Sequence, residues 1–298
     1  MSGKRVIVAV VMLISVPALF ALREAIAFHV HNRSNGFMVS AGRQREYLLH
    51  VPPSYDRTRP TPLVISLHGA GGWPVQQMEM SLWNRVADEQ GFIVVYPSGI
   101  AGIGPRVWGE RDVRFIADLI DKLQASYNID PARIYANGLS NGGGMSFVLS
   151  CTMSDRIAAV GLVGAALILP WNWCTDHRPV PMIAFHGTDD PMAPYRGGKS
   201  WVADGAFPPL ETWAAKWARR NRCASGPIAS KVAADVTRRE YTNCDGNAAV
   251  VLYTIEGGGH TWPGGTPLPE WFAGRTSRGV DATREMWAFF QAHPLQRK

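Results

Sequence analysis

Gly138-Leu139-Ser140-Asn141-Gly142 is the first stretch of this chain in which residue type and spacing could do chemistry. A nucleophilic hydroxyl must project from a sharp strand-to-helix turn, and side chains two positions to either side would collide there, so glycine flanks such a serine. The start of the helix that follows aims backbone N–H groups at developing negative charge. A second glycine-rich run, Leu67-His68-Gly69-Ala70-Gly71-Gly72, could bring another N–H to the same charge. The N–H groups of Ala70 and Asn141 are the candidate pair, with Gly71 left open as the alternative to Ala70. Phosphate binding is the competing use of such a loop, but neither G-x-G-x-x-G spacing nor a P-loop lysine is present.

A serine nucleophile needs an imidazole base, and the base needs a carboxylate to fix its tautomer. His186-Gly187-Thr188-Asp189-Asp190-Pro191 offers two competing aspartates. Gly257-Gly258-Gly259-His260-Thr261-Trp262-Pro263-Gly264 offers a histidine on a flexible-backbone loop. His29, His31, His50, His177 and His293 read instead as core or surface residues, and His68 as a structural hydrogen-bonder. The order serine, aspartate, histidine is that of α/β-hydrolases and differs from the orders of chymotrypsin and subtilisin. Together these residues predict a serine hydrolase whose chemistry requires no metal. Trp108 and Trp262 are candidate pocket walls for an aromatic acyl group or a sugar ring, whereas Trp83, on an amphipathic stretch, reads as core.

The elements that must position these groups are legible from periodicity. Tyr47–Val51, Leu63–Leu67, Phe92–Tyr96, Arg133–Ala136, Ala158–Val163, Met182–Phe185 and Val250–Ile255 read as strands, and 76–89, 112–127, 142–151, 210–221 and 281–293 as helices. Over 112–127, Val113, Ile116, Leu119, Ile120, Leu123 and Tyr127 recur at spacings of three and four. The alternation of buried strands with helices predicts one α/β domain over 28–298: a mostly parallel open sheet with helices on both faces. Tyr47–Val51 is expected as an antiparallel edge strand. The four motifs then all follow strand ends, where sites form in open α/β sheets.

Composition excludes several classes. Of 298 residues, 46% are hydrophobic and 18% charged, too apolar for disorder. The net charge of +6 comes from scattered basic residues, so no nucleic-acid stripe exists. Lys4-Arg5, the apolar stretch Val6–Leu22 and Ala25-Ile26-Ala27 predict a leader over 1–27, cleaved after Ala27 or retained as an anchor that makes the sole membrane contact. The chain is thus expected to be secreted, periplasmic or cell-surface. The four cysteines Cys151, Cys174, Cys223 and Cys244 suit that setting. Three pairings are possible, and the local ones, Cys151–Cys174 and Cys223–Cys244, are favoured.

Ser81–Pro97 (SLWNRVADEQGFIVVYP), Ile129–Met145 (IDPARIYANGLSNGGGM), His186–Tyr195 (HGTDDPMAPY) and Gly258–Gly264 (GGHTWPG) resemble the secreted poly(3-hydroxybutyrate) depolymerase-like and feruloyl esterase group of carbohydrate esterase family 1. The resemblance runs from about Phe37 to Phe290. It implies an α/β-hydrolase fold, no cofactor, and hydrolysis of carboxylic esters through an acyl-enzyme. The family pattern H-G-T-x-D selects Asp190 as the acid, beside Ser140 and His260, with Ala193 where the family usually has valine. Small or oligomeric hydroxyalkanoate esters, or feruloyl and acetyl esters of carbohydrates, are the implied substrates. An acyltransferase on the same scaffold and a non-catalytic cell-surface binding protein are the competing readings.

Overall fold

The structure, a computed structural model, describes residues 33–100, 106–165, 174 and 178–296. The expected leader over 1–27 lies outside the described residues. Twelve strands are described: β1 Gly36–Ser40, β2 Arg43–His50, β3 Thr61–Leu67, β4 Ile93–Pro97, β5 Ile129–Leu139, β6 Ala159–Val163, β7 Met182–Gly187, β8 Gly198–Ser200, β9 Ala203–Phe207, β10 Ser225–Ala233, β11 Val236–Thr242 and β12 Val250–Ile255. Ten of them form one sheet in the order β1-β2-β4-β3-β5-β6-β7-β12-β11-β10, and β8 pairs with β9 in a separate hairpin. The six central strands, β4 to β12 in that order, run parallel, while β1, β2, β11 and β10 are added antiparallel at the two flanks.

Alternation along the central strands explains why both faces carry helices. Leu63, Ile65 and Leu67 of β3 join one core and Val64 the other; Met182 and Ala184 of β7 oppose Ile183 and Phe185 in the same way. The first core is closed by α3 (Asp112–Ser126), α4 (Asn141–Thr152) and α5 (Leu210–Arg220), through Phe115, Leu119, Phe147 and Trp217 among others. The second is closed by α1 (Pro74–Ser81), α2 (Trp83–Gln90) and α7 (Ala282–Ala292), through Val75, Trp83, Trp287 and Phe290. A single turn, α6, spans Glu270–Ala273.

Three details differ from the sequence reading. The helix expected over 76–89 is two helices, α1 and α2, because Leu82 takes a left-handed conformation (φ 59°). That break lets Trp83 turn inward, where it stacks on Phe290 and donates its indole N–H to Asn137 Oδ1 at 3.0 Å. The expected edge strand Tyr47–Val51 corresponds to β2, which is antiparallel but second from the edge, since β1 covers it. The β10–β11 flank was not expected at all: the side chains of β10 are mostly exposed and β11 carries Arg238, Arg239 and Glu240, so neither reads as a core strand.

Cys151 is bonded to Cys174, tying the end of α4 to the approach to β7, and Cys223 to Cys244, tying the end of α5 to the end of β11.

Candidate active site

Ser140 sits between β5 and α4 with φ 54° and ψ −119°, a backbone conformation that costs a non-glycine residue on the order of 1–3 kcal/mol. The turn is held because Ser140 N–H donates to Val163 O at 2.8 Å and Ser140 O accepts from Gly144 N–H at 2.9 Å. The flanking glycines are required by contact. A Cβ on Gly142 would lie 2.2 Å from Leu67 O, and one on Gly138 would lie 2.4 Å from the Gly142 carbonyl carbon. The end of β3 therefore packs directly under the start of α4.

Asp190 and His260 stand on two loops that touch. Asp189 N–H donates to Gly258 O at 2.9 Å and Gly257 N–H to Thr188 Oγ1 at 2.8 Å. A Cβ on Gly187 would lie 2.0 Å from Gly258 O, so only glycine permits this approach. His260 Nδ1 donates to Asp190 Oδ2 at 2.8 Å, both residues being buried. The other oxygen, Asp190 Oδ1, accepts from the N–H groups of Met192 (2.8 Å) and Ala193 (2.7 Å). Burial raises the Asp190 pKa, but the hydrogen bond and charge of His260 outweigh it, and the net shift is downward. Asp189, by contrast, accepts only from Thr188 Oγ1 among the described side chains and is exposed.

Sequence reasoning missed His186. Its Nε2–H donates to Ala193 O at 2.7 Å and lies 3.4 Å from Asp190 Oδ2, so a second buried imidazole faces the same carboxylate. Burial lowers its pKa, against the raising effect of Asp190. The histidine of the HGT motif was the available signal.

Ser140 and His260 both line a cavity of about 540 Å³. Among the described residues no hydrogen bond joins the two. Ala70 and Asn141 line the same cavity, whereas Gly71 N–H is engaged with Arg106 O at 2.8 Å. The Asn141 side chain grips a neighbouring backbone, its Oδ1 accepting from Trp108 N–H at 2.6 Å. The apolar walls are Met80, Leu139, Met192, Phe207, Leu268 and Phe272.

The two tryptophans proposed as walls are not among these lining residues, and that assignment is corrected. Trp108 is buried, donates its indole N–H to His68 O at 2.8 Å and packs on the His68 ring, so it supports the Gly69–Gly72 turn from behind. Trp262 is wholly buried with its indole N–H on Thr283 Oγ1. The tryptophan that does line the cavity is Trp201, on the β8–β9 hairpin, a segment without a motif. Among the described residues no group of three or more His, Cys, Asp or Glu could hold a metal ion.

With this geometry in hand, known proteins of similar sequence are informative. The chain is 32% identical over 266 residues to a protein of Nocardia uniformis subsp. tsuyamanensis named "Putative esterase NocK", covering 81% of this chain and 77% of that one. It is 30% identical over 257 residues to feruloyl esterase C of Emericella nidulans, covering 83% and 84%. The chain belongs to the feruloyl esterase family of α/β-hydrolases. It is a carboxylic ester hydrolase. A family model described as phospholipase/carboxylesterase matches residues 110–203 of this chain. Feruloyl esterase B of Piromyces equi, 32% identical over 231 residues covering 72% of this chain, is a longer protein of which 42% is spanned. Among solved structures, an acetyl xylan esterase from Aspergillus awamori superposes with a TM-score of 0.60 at 14% identity, covering 88% of this chain and 96% of that one, which supports the fold.

Proposed function

We propose that this enzyme cleaves its esters through a Ser140–His260–Asp190 triad and a covalent acyl-enzyme, and that it works outside the cytoplasm. The observation that carries the reading is the 2.8 Å Asp190–His260 hydrogen bond beside a cavity that Ser140 enters from a positive-φ turn. With Nδ1–H committed to Asp190, the free Nε2 of His260 takes the proton as Ser140 Oγ attacks the ester carbonyl. The N–H groups of Asn141 and Ala70 receive the oxyanion; the engagement of Gly71 N–H with Arg106 favours Ala70 over its neighbour. The alcohol leaves with the proton from His260, and a water activated by the same imidazole releases the acid.

The apolar walls suit an acyl group with a sizeable carbon skeleton, as in feruloyl esters or hydroxyalkanoate oligomers, better than acetate alone. Two disulfides support an oxidising compartment. The test compares the wild type with Ser140→Ala on p-nitrophenyl acetate and butyrate, methyl ferulate, acetylated xylan and 3-hydroxybutyrate oligomers, measuring free acid. Serine-dependent release, with kcat/KM ranking the acyl groups, is expected. Turnover that survives Ser140→Ala sinks the triad, and ester transferred to an added alcohol without free acid means a transferase.

A further inference from the structure

Among the described residues eight large apolar side chains are markedly exposed, and four of them gather at the Ser140 cavity. Trp201 and Val202, at the tip of the β8–β9 hairpin, are 71% and 44% exposed and yet line the cavity. Phe272 of α6, also 44% exposed, lines it from another segment, and Trp271, 86% exposed, meets the Phe272 ring edge-on with centroids 5.7 Å apart. The other four lie on β1 and β10, at the two edges of the sheet. A cluster of exposed aromatic surface at a cavity mouth marks a place where something apolar binds.

Both segments are fastened to the loops that carry Asp190 and His260. Ser200 Oγ, at the foot of the hairpin tip, donates to Met192 O, and Met192 N–H in turn donates to Asp190 Oδ1 at 2.8 Å. His260 N–H donates to Ala273 O, the last residue of α6, at 2.6 Å, and Gly259 N–H to Arg275 O at 2.9 Å. A Cβ on Gly259 would lie 2.1 Å from Ala273 O, so α6 packs directly on the histidine loop. The apolar patch therefore has a set position over the opening, and that position decides its occupant. A folded protein seated on Trp201 and Phe272 would cover the cavity that those side chains line and bar the ester from it. A dispersed phase of the ester itself covers the same patch and still delivers single molecules to Ser140.

We propose that Trp201, Val202, Trp271 and Phe272 form an interfacial docking surface, with which the enzyme seats its cavity mouth on an aggregated, lipid-like ester and draws molecules from it. The inference rests on the serine esterase reading above and adds the physical state in which the substrate is met. Indole and phenyl rings suit the role because each buries a large apolar area while the indole N–H keeps a partner in water. Trp271 distinguishes docking from ordinary substrate binding. It is not among the residues lining the cavity of about 540 Å³, so a dissolved ester small enough to enter does not need it, whereas an extended surface reaches it.

The experiment has a binding arm and a rate arm. In the first, Ser140→Ala, which consumes no ester, is mixed with a tributyrin emulsion and its flotation with the droplets is measured. It should float, and adding Trp271→Ser should raise the emulsion concentration for half-binding about tenfold. Trp201→Ser in the same background gives a second reading of flotation. In the second arm, initial rates of the wild type and Trp271→Ser are followed across the solubility limit of tributyrin and on fully dissolved p-nitrophenyl acetate. The wild-type rate should climb steeply past the limit; Trp271→Ser should lose most of that climb yet stay within about threefold of the wild type on the dissolved ester. No flotation, flotation that Trp271→Ser leaves unchanged, or flotation without a climb in rate overturns the docking surface. An equal fall on dissolved and emulsified ester does so too, as does a wild-type dimer that Trp271→Ser splits, since a second copy then covers the patch. Turnover that survives Ser140→Ala overturns the serine esterase reading, while flotation still decides the docking surface by itself.

Discussion

His68 makes the stability of this fold sensitive to acid. The residue is wholly buried behind the Gly69–Gly72 turn, with Nδ1–H donating to Gly69 O at 2.7 Å and Nε2 accepting from Gly99 N–H at 3.0 Å. Both ring nitrogens are thus used by the neutral form. Burial pulls its pKa from 6.5 down to about 4, the bond to Gly69 O opposing the shift in part and nearby Arg106 adding to it. In the unfolded chain the same imidazole takes its proton near pH 6.5, so between there and about pH 4 the unfolded state binds more protons than the folded one. Above that window His68 contributes no pH dependence. Within it, stability falls as pH drops, and at about 1.4 kcal/mol per unit the loss reaches roughly 3 kcal/mol. The perturbation is His68→Gln, which removes the titrating group. Urea unfolding, followed by tryptophan fluorescence without reductant, is measured at about pH 7.5 and about pH 4 for both proteins. The wild type should lose about 3 kcal/mol more than the variant between the two conditions, whatever their stabilities at neutral pH. An equal loss in both would refute the argument, because a His68 that protonates freely in the folded state cannot carry it.

Three further outcomes are expected. Asp190→Asn, which denies His260 Nδ1–H its acceptor, should lower kcat on the order of 10⁴-fold, whereas Asp189→Asn should stay within about threefold in the same ester assay. Gly142→Ala should destabilise the fold by at least about 2 kcal/mol in a denaturation midpoint and abolish turnover, since the new Cβ would lie 2.2 Å from Leu67 O and must push β3 or α4 aside. Arg45→Met should cost about 3–5 kcal/mol in the same measurement by stranding the buried Asp112, to which Arg45 is paired at 2.8 Å, and adding Asp112→Leu should recover part of that loss.

The parallel centre of the sheet was legible because its strands are buried on both faces and read as short apolar runs: Leu63–Leu67 and Met182–Phe185 could be little else. The flanks were not. β1 holds the apolar run Phe37-Met38-Val39 but is only five residues long and exposes two of the three, and β10 exposes most of its side chains, so neither reads as a strand buried on both faces. The break at Leu82 was equally hidden. No glycine or proline marks it; what turns the chain there is the tertiary demand of Trp83 for a slot between Phe92 and Phe290.

The same division runs through the site. Ser140, Asp190 and His260 stand on loops whose glycines are enforced by contact distances near 2 Å, and such constraints leave a spelling in the sequence that distance along the chain cannot blur. The cavity walls obey no such rule. Met80 and Gln77 belong to an ordinary helix, Trp201 and Phe207 to a short hairpin, and Leu268 and Phe272 to the stretch around α6, brought together only by the fold. Trp108 and Trp262 were attractive because they lie close in sequence to the proposed catalytic motifs. Proximity along the chain instead made them buttresses: the loops proposed to carry the chemistry must be supported from behind, and a large side chain with one hydrogen-bond donor does that well. In a hydrolase built this way, reaction chemistry is written beside the strand ends, while substrate preference is written in segments that the motifs never touch.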